Sequence, residues 1–536
     1  MGRTIEIYDT TLRDGTQSEN FNLSAEDKIR ITHTLDKLGI DFIEGGWPGS
    51  NPVSVEYFKQ MQSVQLKHAQ LAAFGSTRHF QNPPSRDPNL QALLDAKTPV
   101  ITIFGKSWDI HVRDALHIAL DENLLIIQDT LSYLKRHVRH LYYDAEHFFD
   151  GYKNNRDYAM ATLDRAVKGG ADTIILCDTN GGTLPGEIQP IIEDVQRHIK
   201  TNAHQIKLGI HAHNDSETAV ANSLLAISLG VDHVQGTING YGERCGNANL
   251  TSIIPAVVFK MGLDCEVRKH IDRLYSTSRL VDELANLQHN RFQPYVGESA
   301  FAHKGGIHVS AVQRNPLTYE HIEPEKVGNI RRVLISDQSG RSNVLHKARK
   351  WGLKLDIGDP VLATIINELK ELENQGYQYE GAEASFELLM RRALGMQRNY
   401  FKLEGFRVMS NKYRMDKPPL TEATIRLSVG GDEVHTAAMG DGPVNALDRA
   451  VRKALIRFYP SLDEMELSDY KVRVLSGQRG TAAKVRVLVE SKDKLCSWGT
   501  VGVSVNIIEA SWQAMVDSIN YKLMKEDDRK KQQPEA

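Results

Sequence analysis

Two histidines separated by a single residue form the clearest metal-binding pattern in the chain. The predicted strand 206–211 (IKLGIH) ends at His211, and His213 follows it. Residues two apart in an extended strand point to the same side, so both imidazoles can approach one ion. With a carboxylate such as Asp14 they would make a nitrogen and oxygen ligand set that suits Zn, Mn, Fe or Co. The alternative is a pair of surface histidines at the start of a loop.

Arg13 lies directly before Asp14, beyond the end of another predicted strand, 5–9 (IEIYD). A surface ion pair is one interpretation, and such pairs typically contribute less than about 1 kcal/mol. The segment 9–17 (DTTLRDGTQ) is, however, rich in hydrogen-bonding groups. A guanidinium placed there could polarise a ketone oxygen or hold a carboxylate through two hydrogen bonds. We therefore interpret Arg13 as a cation that faces a substrate.

The elements that must position these residues are short apolar runs that alternate with helical segments. Strands that are buried on both faces and separated by helices form parallel sheets. Eight such units predict a (β/α)8 barrel, whose chemistry lies at the carboxyl ends of the strands. A doubly wound open sheet is the alternative, but no glycine-rich dinucleotide-binding turn follows the first strand. The predicted strands are 5–9, 40–45, 70–75, 99–104, 138–143, 172–177, 206–211 and 231–236.

Polar residues follow several of these strands, as an active-site mouth requires. Glu44 ends the second strand, 144–147 (DAEH) follows the fifth, and 178–180 (DTN) follows the sixth. The last strand leads into the glycine-rich segment 240–247 (GYGERCGN). Such a loop lets the backbone approach an anionic ligand, although glycine-rich loops are also common connections.

Beyond the barrel, the composition predicts three further regions. Residues 266–400 are helical and irregular, residues 401–525 alternate like half-buried antiparallel strands, and the charged tail 526–536 is predicted to be disordered. The fold class is therefore α/β, with a TIM barrel at 1–265, a helical linker and a C-terminal α+β domain. Strands are predicted at 422–429, 432–439, 471–476, 482–490 and 495–504, and helices at 443–458 and 506–523, which suggests a duplicated strand-strand-helix unit.

Bulk properties exclude several classes of function. A formal net charge of -3 over 536 residues argues against nucleic-acid binding, which requires concentrated Lys and Arg. No uncharged apolar stretch is long enough to span a bilayer. The four cysteines show no disulfide-like spacing, which fits a reducing compartment. We expect a cytoplasmic protein with neither a membrane nor a nucleic-acid partner.

Three motifs together resemble a known enzyme family. DTTLRDGTQ at 9–17, HAHND at 211–215 and GYGERCGN at 240–247 are similar to those of the metal-dependent condensing enzymes and lyases that use pyruvate on a TIM barrel. HKGGIH at 303–308 and the C-terminal α/β domain are typical of the long form, the 2-isopropylmalate and citramalate synthases. The resemblance spans nearly the whole chain. The lyases carry a different glycine-rich, cysteine-bearing loop near 242–248.

The resemblance implies a role for each matching residue. The metal ligands are Asp14, His211, His213 and Asn247, and the metal is a divalent cation (Mn, Mg, Zn or Co). Arg13 polarises the 2-oxo group, with Gln17 and Thr179 as further substrate-binding residues, while Glu146, His308 and Tyr319 complete the catalytic set. In these families the region around His308 can reach the barrel of a partner subunit, so a homodimer is implied.

Within the family, the resemblance is closest to the citramalate branch, on YYDAEHFFDGY at 142–152 and EGGWPGS at 44–50. It implies condensation of acetyl-CoA, the co-substrate, with pyruvate, and Tyr143, Phe148 and Phe149 are expected to crowd the acceptor site around Glu146. The alternative is 2-isopropylmalate synthase, which accepts 2-oxoisovalerate. A lyase and a non-catalytic ligand sensor are more distant alternatives.

The C-terminal domain is expected to sense an amino-acid end product, isoleucine for the citramalate branch or leucine for the alternative. Its candidate ligand-facing segments are the glycine loops 430–431, 440–442 and 477–480, where the backbone can approach charged groups. A dimerisation domain without a ligand is the competing interpretation.

Overall fold

The structure is a computed structural model that describes residues 3–201, 206–336, 339–475 and 483–532. These residues form two compact units. The first comprises the chain up to Phe301 together with His321–Arg331, and the second comprises Ala302–Glu320 and the chain from Arg332 onward. All four cysteines are free. Among the described helices, none combines the length and the apolar character that crossing a bilayer demands.

The first unit contains a closed barrel of eight parallel strands, as predicted. Each strand pairs with the next along the chain, and β8 pairs with β1 to close the barrel. The strands are β1 (Glu6–Asp9), β2 (Phe42–Gly46), β3 (Gln70–Ser76), β4 (Val100–Lys106), β5 (His140–Glu146), β6 (Thr173–Asp178), β7 (Lys207–Ala212) and β8 (His233–Gly236).

Helices surround the barrel and bury their apolar stripes against it. Local signals fix α1, because the Ser24 side chain accepts a hydrogen bond from the Asp27 amide and Gly39 ends the helix in the left-handed conformation. The helices are α1 (Ala25–Leu38), α2 (Pro52–Met61), α3 (Pro88–Asp95), α4 (Leu120–Leu134), α5 (Phe148–Asn154), α6 (Arg156–Gly169), α7 (Pro185–Thr201), α8 (Ala219–Ser228), α9 (Leu250–Pro255) and α10 (Leu274–Leu284).

Successive side chains along each strand point alternately into and out of the barrel, and this separates two apolar regions. Side chains such as Tyr8, Tyr142 and Cys177 fill the inside of the barrel. Their neighbours in sequence, such as Ile7 and Leu176, face outward and join the large core between barrel and helices. A residue two positions beyond an inward-facing one, such as Asp144 after Tyr142, therefore also lies inside.

The predicted linker, 266–400, is divided between the two units. Residues 321–331 belong to the barrel unit because Ile322 and Val327 are buried in its core. The rest of the region after Phe301 forms the start of the second unit. Its elements are β9 (Ala302–His303), α11 (Gly306–Arg314), β10 (Arg332–Val333), α12 (Arg341–Lys350), α13 (Pro360–Gln375) and α14 (Glu383–Ala393).

The C-terminal part of the second unit repeats one motif, which has three strands rather than the predicted two. Sequence analysis missed the first strand of the first copy, because Gly405 and charged residues obscure its alternation. Both copies have a register shift near the start of their first strand. The elements are β11 (Lys402–Asn411), β12 (Leu420–Val429), β13 (Asp432–Gly440), α15 (Pro443–Leu455), β14 (Glu466–Val474), β15 (Val485–Lys492), β16 (Ser497–Ser504) and α16 (Ile507–Gln532). The candidate glycine loop 477–480 lies outside the described residues.

A glycine in the third strand of each copy lets the following helix approach closely. A Cβ atom at Gly440 would overlap the backbone of Ala446, and one at Gly502 would overlap the carbonyl oxygen of Ala510. In both copies a glycine of the third strand thus leaves room for the helix that follows.

The tail differs from the prediction, because α16 continues from residue 526 to Gln532 instead of being disordered. Charged contacts provide the reason. Asp528 accepts a hydrogen bond from Arg391 at 2.7 Å, and Asp527 accepts hydrogen bonds from Arg398 at 2.6 Å and from Tyr400 at 2.8 Å. Composition alone does not reveal these long-range partners.

Deleting residues 526–536 should lower the free energy of unfolding by about 1.5–3 kcal/mol, since Arg391 loses a hydrogen bond to a charged partner. The measurement is urea denaturation of the full chain and of the truncated chain. A deletion of 533–536 alone serves as the control and should unfold like the full chain. Equal stability of all three proteins would contradict the structural role of the helical tail.

Candidate metal centre and active site

The turn after β1 places Arg13 and Asp14 at the mouth of the barrel. The carbonyl oxygen of Thr10 accepts hydrogen bonds from the amides of Arg13, Asp14 and Gly15, at 2.9–3.1 Å. The Asp9 carboxylate accepts hydrogen bonds from the amide and the hydroxyl of Thr11, at 3.0 and 2.8 Å. These bonds fold the chain back across the strand end.

Asp14, His211 and His213 converge as the sequence predicts. Their candidate ligand atoms all lie within 4.8 Å of one another, and all three residues are buried. The Nε2 atoms of the two histidines are 3.3 Å apart, and His211 Nε2 lies 3.3 Å from Asp14 Oδ2. Asn247 joins them, since its amide nitrogen donates a hydrogen bond to Asp14 at 2.7 Å.

Interactions around this triad orient its members. The Nε2 of Gln235 donates a hydrogen bond to Asp144 at 3.1 Å. The Oε1 of Gln235 then faces His211 and accepts a hydrogen bond from its Nδ1 at 2.8 Å. The Nε2 lone pair of His211 is therefore directed at the triad centre. Burial lowers the pKa of His211, but contacts with Asp14 outweigh this effect and raise the pKa above its ordinary value.

Burial and neighbouring charges shift the pKa values of the ionisable groups in this site. Burial acts to raise the pKa of Asp14, but the nearby Arg13 and His211 outweigh it and hold the pKa well below the usual range. Burial raises the pKa of Asp144 to about 7, and the pKa of His213 falls to about 4 from burial and from the charge of His211. These are the directions expected for a compact cluster of desolvated ionisable groups.

Arg13 is held in one orientation by three contacts. Its Nε donates a hydrogen bond to Glu44 at 2.5 Å, and its guanidinium lies 3.7 Å from the centre of the Phe74 ring. One terminal nitrogen lies 3.4 Å from Asp14. Glu44 is itself fixed by a hydrogen bond from Tyr8 at 2.7 Å. A guanidinium held this way directs its terminal N–H groups toward the triad.

Thr179 follows β6, and neighbouring loops fix its position. Its hydroxyl oxygen accepts a hydrogen bond from the His147 amide at 2.8 Å, so its own hydrogen can be donated elsewhere. Its carbonyl oxygen accepts a hydrogen bond from Arg244 at 2.7 Å, and Arg244 also binds Asp215 at 2.8 Å. His147 and Arg244 both have left-handed backbones (φ 56° and 58°), a strained conformation that these contacts support.

The remaining predicted residues have more varied surroundings. Glu146 faces the barrel interior, two positions after Asp144, and forms an ion pair with Lys106. Gln17 has an exposed side chain. His308 on α11 and Tyr319 belong to the second unit, where their rings stack with centroids 4.2 Å apart.

The expected crowding of the acceptor site is wrong. Tyr143 alternates with the inward-facing Tyr142 and Asp144, so it points away from the barrel interior. It joins Phe148 and Phe149 in the core between barrel and helices, and all three are fully buried there. The aromatic ring in contact with Arg13 is instead that of Phe74, which stacks on Phe104 with ring centroids 5.3 Å apart.

Sequence analysis assigned no role to Glu44, Asp144 or Gln235, which orient Arg13 and His211. Glu44 and Asp144 stood out as polar residues at strand ends. Gln235 gave a weaker signal, as a polar residue in the last predicted strand. Their partners belong to strands distant in sequence, and only closure of the barrel brings them together.

The residues of the triad fit a divalent cation. One ion can span the 3.3 Å gap between the two Nε2 atoms, since metal–imidazole bonds measure about 2.0–2.1 Å. His213 Nδ1 and Asn247 Oδ1 are buried and have no hydrogen-bond partner within the described part of the chain. A buried set of one carboxylate and two imidazoles is a common donor set for such ions.

Comparison with protein families divides the chain into three matched segments. Residues 4–281 match the HMGL-like family, and residues 295–377 match the homocitrate synthase post-HMGL domain-like family. Residues 380–523 match the LeuA allosteric (dimerisation) domain.

Curated relatives are similar over nearly the full chain. An (R)-citramalate synthase of Geobacter sulfurreducens is 59% identical, over 98% of each chain. An (R)-citramalate synthase of Aquifex aeolicus is 54% identical, over 98% of this chain and 99% of that one. A probable 2-isopropylmalate synthase of Methanopyrus kandleri is 31% identical, over 96% and 98% of the two chains.

Replacing Gln235 with Leu should weaken the binding of Mn²⁺ by about 10–100-fold, because His211 loses the hydrogen bond that fixes its ring. Gln235→Glu keeps an acceptor at that place and should stay closer to the unsubstituted protein. The measurement is calorimetric titration of Mn²⁺ into chelator-treated protein, with the exposed His137→Ala as the control. Unchanged affinity in Gln235→Leu would contradict this orientation of His211.

Proposed function

The chain belongs to the (R)-citramalate synthases of the HMGL-like family, and from this membership we propose how its residues act in the reaction. The reaction condenses acetyl-CoA with pyruvate and hydrolyses the thioester, which yields (R)-citramalate and CoA. It is an acyl transfer in which the acetyl group becomes part of an alkyl chain. The alternative acceptor, 2-oxoisovalerate, is disfavoured because the 2-isopropylmalate synthase relative is only 31% identical.

We propose that Asp14, His211 and His213 hold a divalent cation (Mn, Mg, Zn or Co), with Asn247 as a further contact. The buried triad beside Arg13 is the observation that carries the proposal. When bound, such an ion acts as a Lewis acid toward the carbonyl oxygen of the acceptor. Turning the Asn247 amide would direct its buried oxygen at the same centre.

Arg13 binds and polarises the 2-oxo group of pyruvate in this proposal. Its guanidinium is already oriented by Glu44 and Phe74, so little reorganisation is needed as negative charge develops on the carbonyl oxygen. The Thr179 hydroxyl donates to the pyruvate carboxylate, because its oxygen already accepts the His147 amide. Gln17 is proposed as a further substrate contact at the mouth.

The acetyl methyl group is a weak acid, so a positioned base must remove one proton. We assign the proton transfers to His308, with Tyr319 as its companion. Support comes from the stacking of the two rings and from the resemblance of HKGGIH to the synthases. Glu146, which forms an ion pair with Lys106, assists near the reacting carbons.

We propose further that the protein is a homodimer in isoleucine biosynthesis and that isoleucine inhibits it. Support comes from the match of residues 380–523 to an allosteric dimerisation domain. A cytoplasmic location would suit four free cysteines, because thiols stay reduced there. Pyruvate and acetyl-CoA are then the small-molecule partners.

Turnover should require a divalent cation and should favour pyruvate over 2-oxoisovalerate by at least about tenfold in kcat/KM, the scale on which side-chain size is discriminated. The measurement is CoA release with a panel of 2-oxo acids, before and after chelation and after addition of Mn²⁺. Preference for the branched acid would assign the alternative acceptor. Full activity of chelated His211→Ala protein would contradict the metal site.

A further inference from the structure

The mouth of the barrel holds a second cation, Lys106, to which the proposed reaction assigns no role of its own. Lys106 ends β4 and lies an even number of residues after Val100, which fills the inside of the barrel. Its carbonyl oxygen accepts a hydrogen bond from Asn123 at 2.9 Å. Its backbone is also in register with Glu146 on β5. The lysine and the glutamate therefore point to the same side, into the mouth.

The Lys106 ammonium is available to a ligand. It donates a hydrogen bond to Glu146, and no second acceptor for it is found in the described part of the chain. An ammonium has three N–H donors, so others remain for a bound molecule. The Lys106 side chain is 24% exposed, so a molecule that enters the mouth can reach them.

Lys106 and Glu146 face the same cavity as Arg13. Burial raises the pKa of the Cys177 thiol, inside the barrel, well above its ordinary value, and charges on both Glu146 and Arg13 act on it as well. The glutamate and the arginine therefore lie on either side of one interior. A ligand in this cavity can meet Arg13 and Lys106 together.

The two cations contact different rings of a stacked aromatic pair. The Arg13 guanidinium lies 3.7 Å from the centre of the Phe74 ring, and Lys106 Nζ lies 5.4 Å from the centre of the Phe104 ring. Both distances are within the range of cation–π contacts. The mouth can therefore present one cation to each of two oxygen atoms.

The proposed reaction has two such oxygens, because both substrates develop negative charge. One is the 2-oxo oxygen of pyruvate, which Arg13 binds. The other is the thioester carbonyl oxygen of acetyl-CoA. When a methyl proton passes to the base, the C–H electron pair forms a carbon–carbon double bond, and the thioester C=O pair moves onto this oxygen. Both shifts reverse as the methyl carbon bonds to the 2-oxo carbon of pyruvate. The same oxygen is charged again when water adds to the thioester carbon before CoA leaves.

We propose that Lys106 is a catalytic residue whose ammonium binds the thioester carbonyl oxygen of acetyl-CoA. A cation fixed at that oxygen stabilises the enolate and then the tetrahedral intermediate of thioester hydrolysis. The hydrogen bond to Glu146 keeps the ammonium in place, so little reorganisation is needed when the charge develops. This inference rests on the proposed function, which supplies acetyl-CoA as the co-substrate.

The test compares substitutions of Lys106 in steady-state assays of CoA release. Lys106→Met removes the charge and every donor, whereas Lys106→Gln keeps an N–H donor for Glu146 without the charge. Both should lower kcat by at least about 100-fold, the scale of losing one oxyanion donor, while KM for pyruvate stays within about threefold. Lys106→Arg keeps the cation and should retain more activity than either.

Binding of CoA, measured by calorimetry, is the second readout. The free thiol lacks the thioester oxygen, so its Kd should be the same in the unsubstituted protein and in the Lys106 variants. Lys135→Met is the matched control, because Lys135 is a partly exposed lysine that pairs with Asp172 at the opposite end of the barrel. This control should keep kcat, KM and the Kd for CoA unchanged.

Three results would overturn the role of Lys106. A kcat in Lys106→Gln close to that of the unsubstituted protein would mean that Lys106 only holds Glu146. A raised KM for pyruvate at unchanged kcat would place the pyruvate carboxylate at Lys106. A raised Kd for CoA would place a phosphate group of the coenzyme there. If the unsubstituted protein releases no CoA from acetyl-CoA and pyruvate, the proposed function itself fails, and this inference fails with it.

Discussion

The candidate active site depends on how three buried carboxylates at the barrel mouth are compensated. Asp14, Glu44 and Asp144 are all buried, and Arg13 is the cation in direct contact with the first two. Desolvated carboxylates are costly unless a positive charge compensates them. Burial raises the pKa of Asp144 to about 7, because a desolvated carboxylate favours its neutral form. A divalent cation between Asp14 and the two histidines would restore the balance, so structural stability and catalytic chemistry would require the same ion.

The barrel meets this constraint by bringing residues from distant strands to one end. Arg13 and Asp14 come from the turn after β1, Glu44 from β2, Asp144 from β5 and His211 from β7. Each strand contributes one or two side chains, and the loops that connect them hold the geometry. Arg244, in the loop after β8, is the clearest example. It donates hydrogen bonds to Thr179 in the loop after β6 and to Asp215 in the loop after β7. Its left-handed backbone conformation is strained, and such strain is typical of loops that a functional site holds in one conformation.

Sequence reasoning predicted features that depend on local patterns. Eight apolar runs separated by helices specified the barrel, and a spacing of two residues placed His211 and His213 together. Features that depend on distant partners were harder to predict, such as the contact of Gln235 with His211 and the charged contacts that keep α16 helical to Gln532. The interpretation of Tyr143 failed for a different reason. Successive side chains of β5 point to opposite faces, so Tyr143 points away from the face that carries Asp144 and Glu146. This orientation could have been predicted from the sequence.

A crystal structure of the protein with Mn²⁺ and pyruvate would test the metal site directly, because Mn²⁺ can be located by its anomalous scattering. We predict an ion bound to Asp14 and to the Nε2 atoms of His211 and His213, with pyruvate in contact with the ion and with Arg13. Asn247 should present its oxygen to the same ion. An ion bound elsewhere, or pyruvate bound away from both Arg13 and the triad, would contradict this metal site.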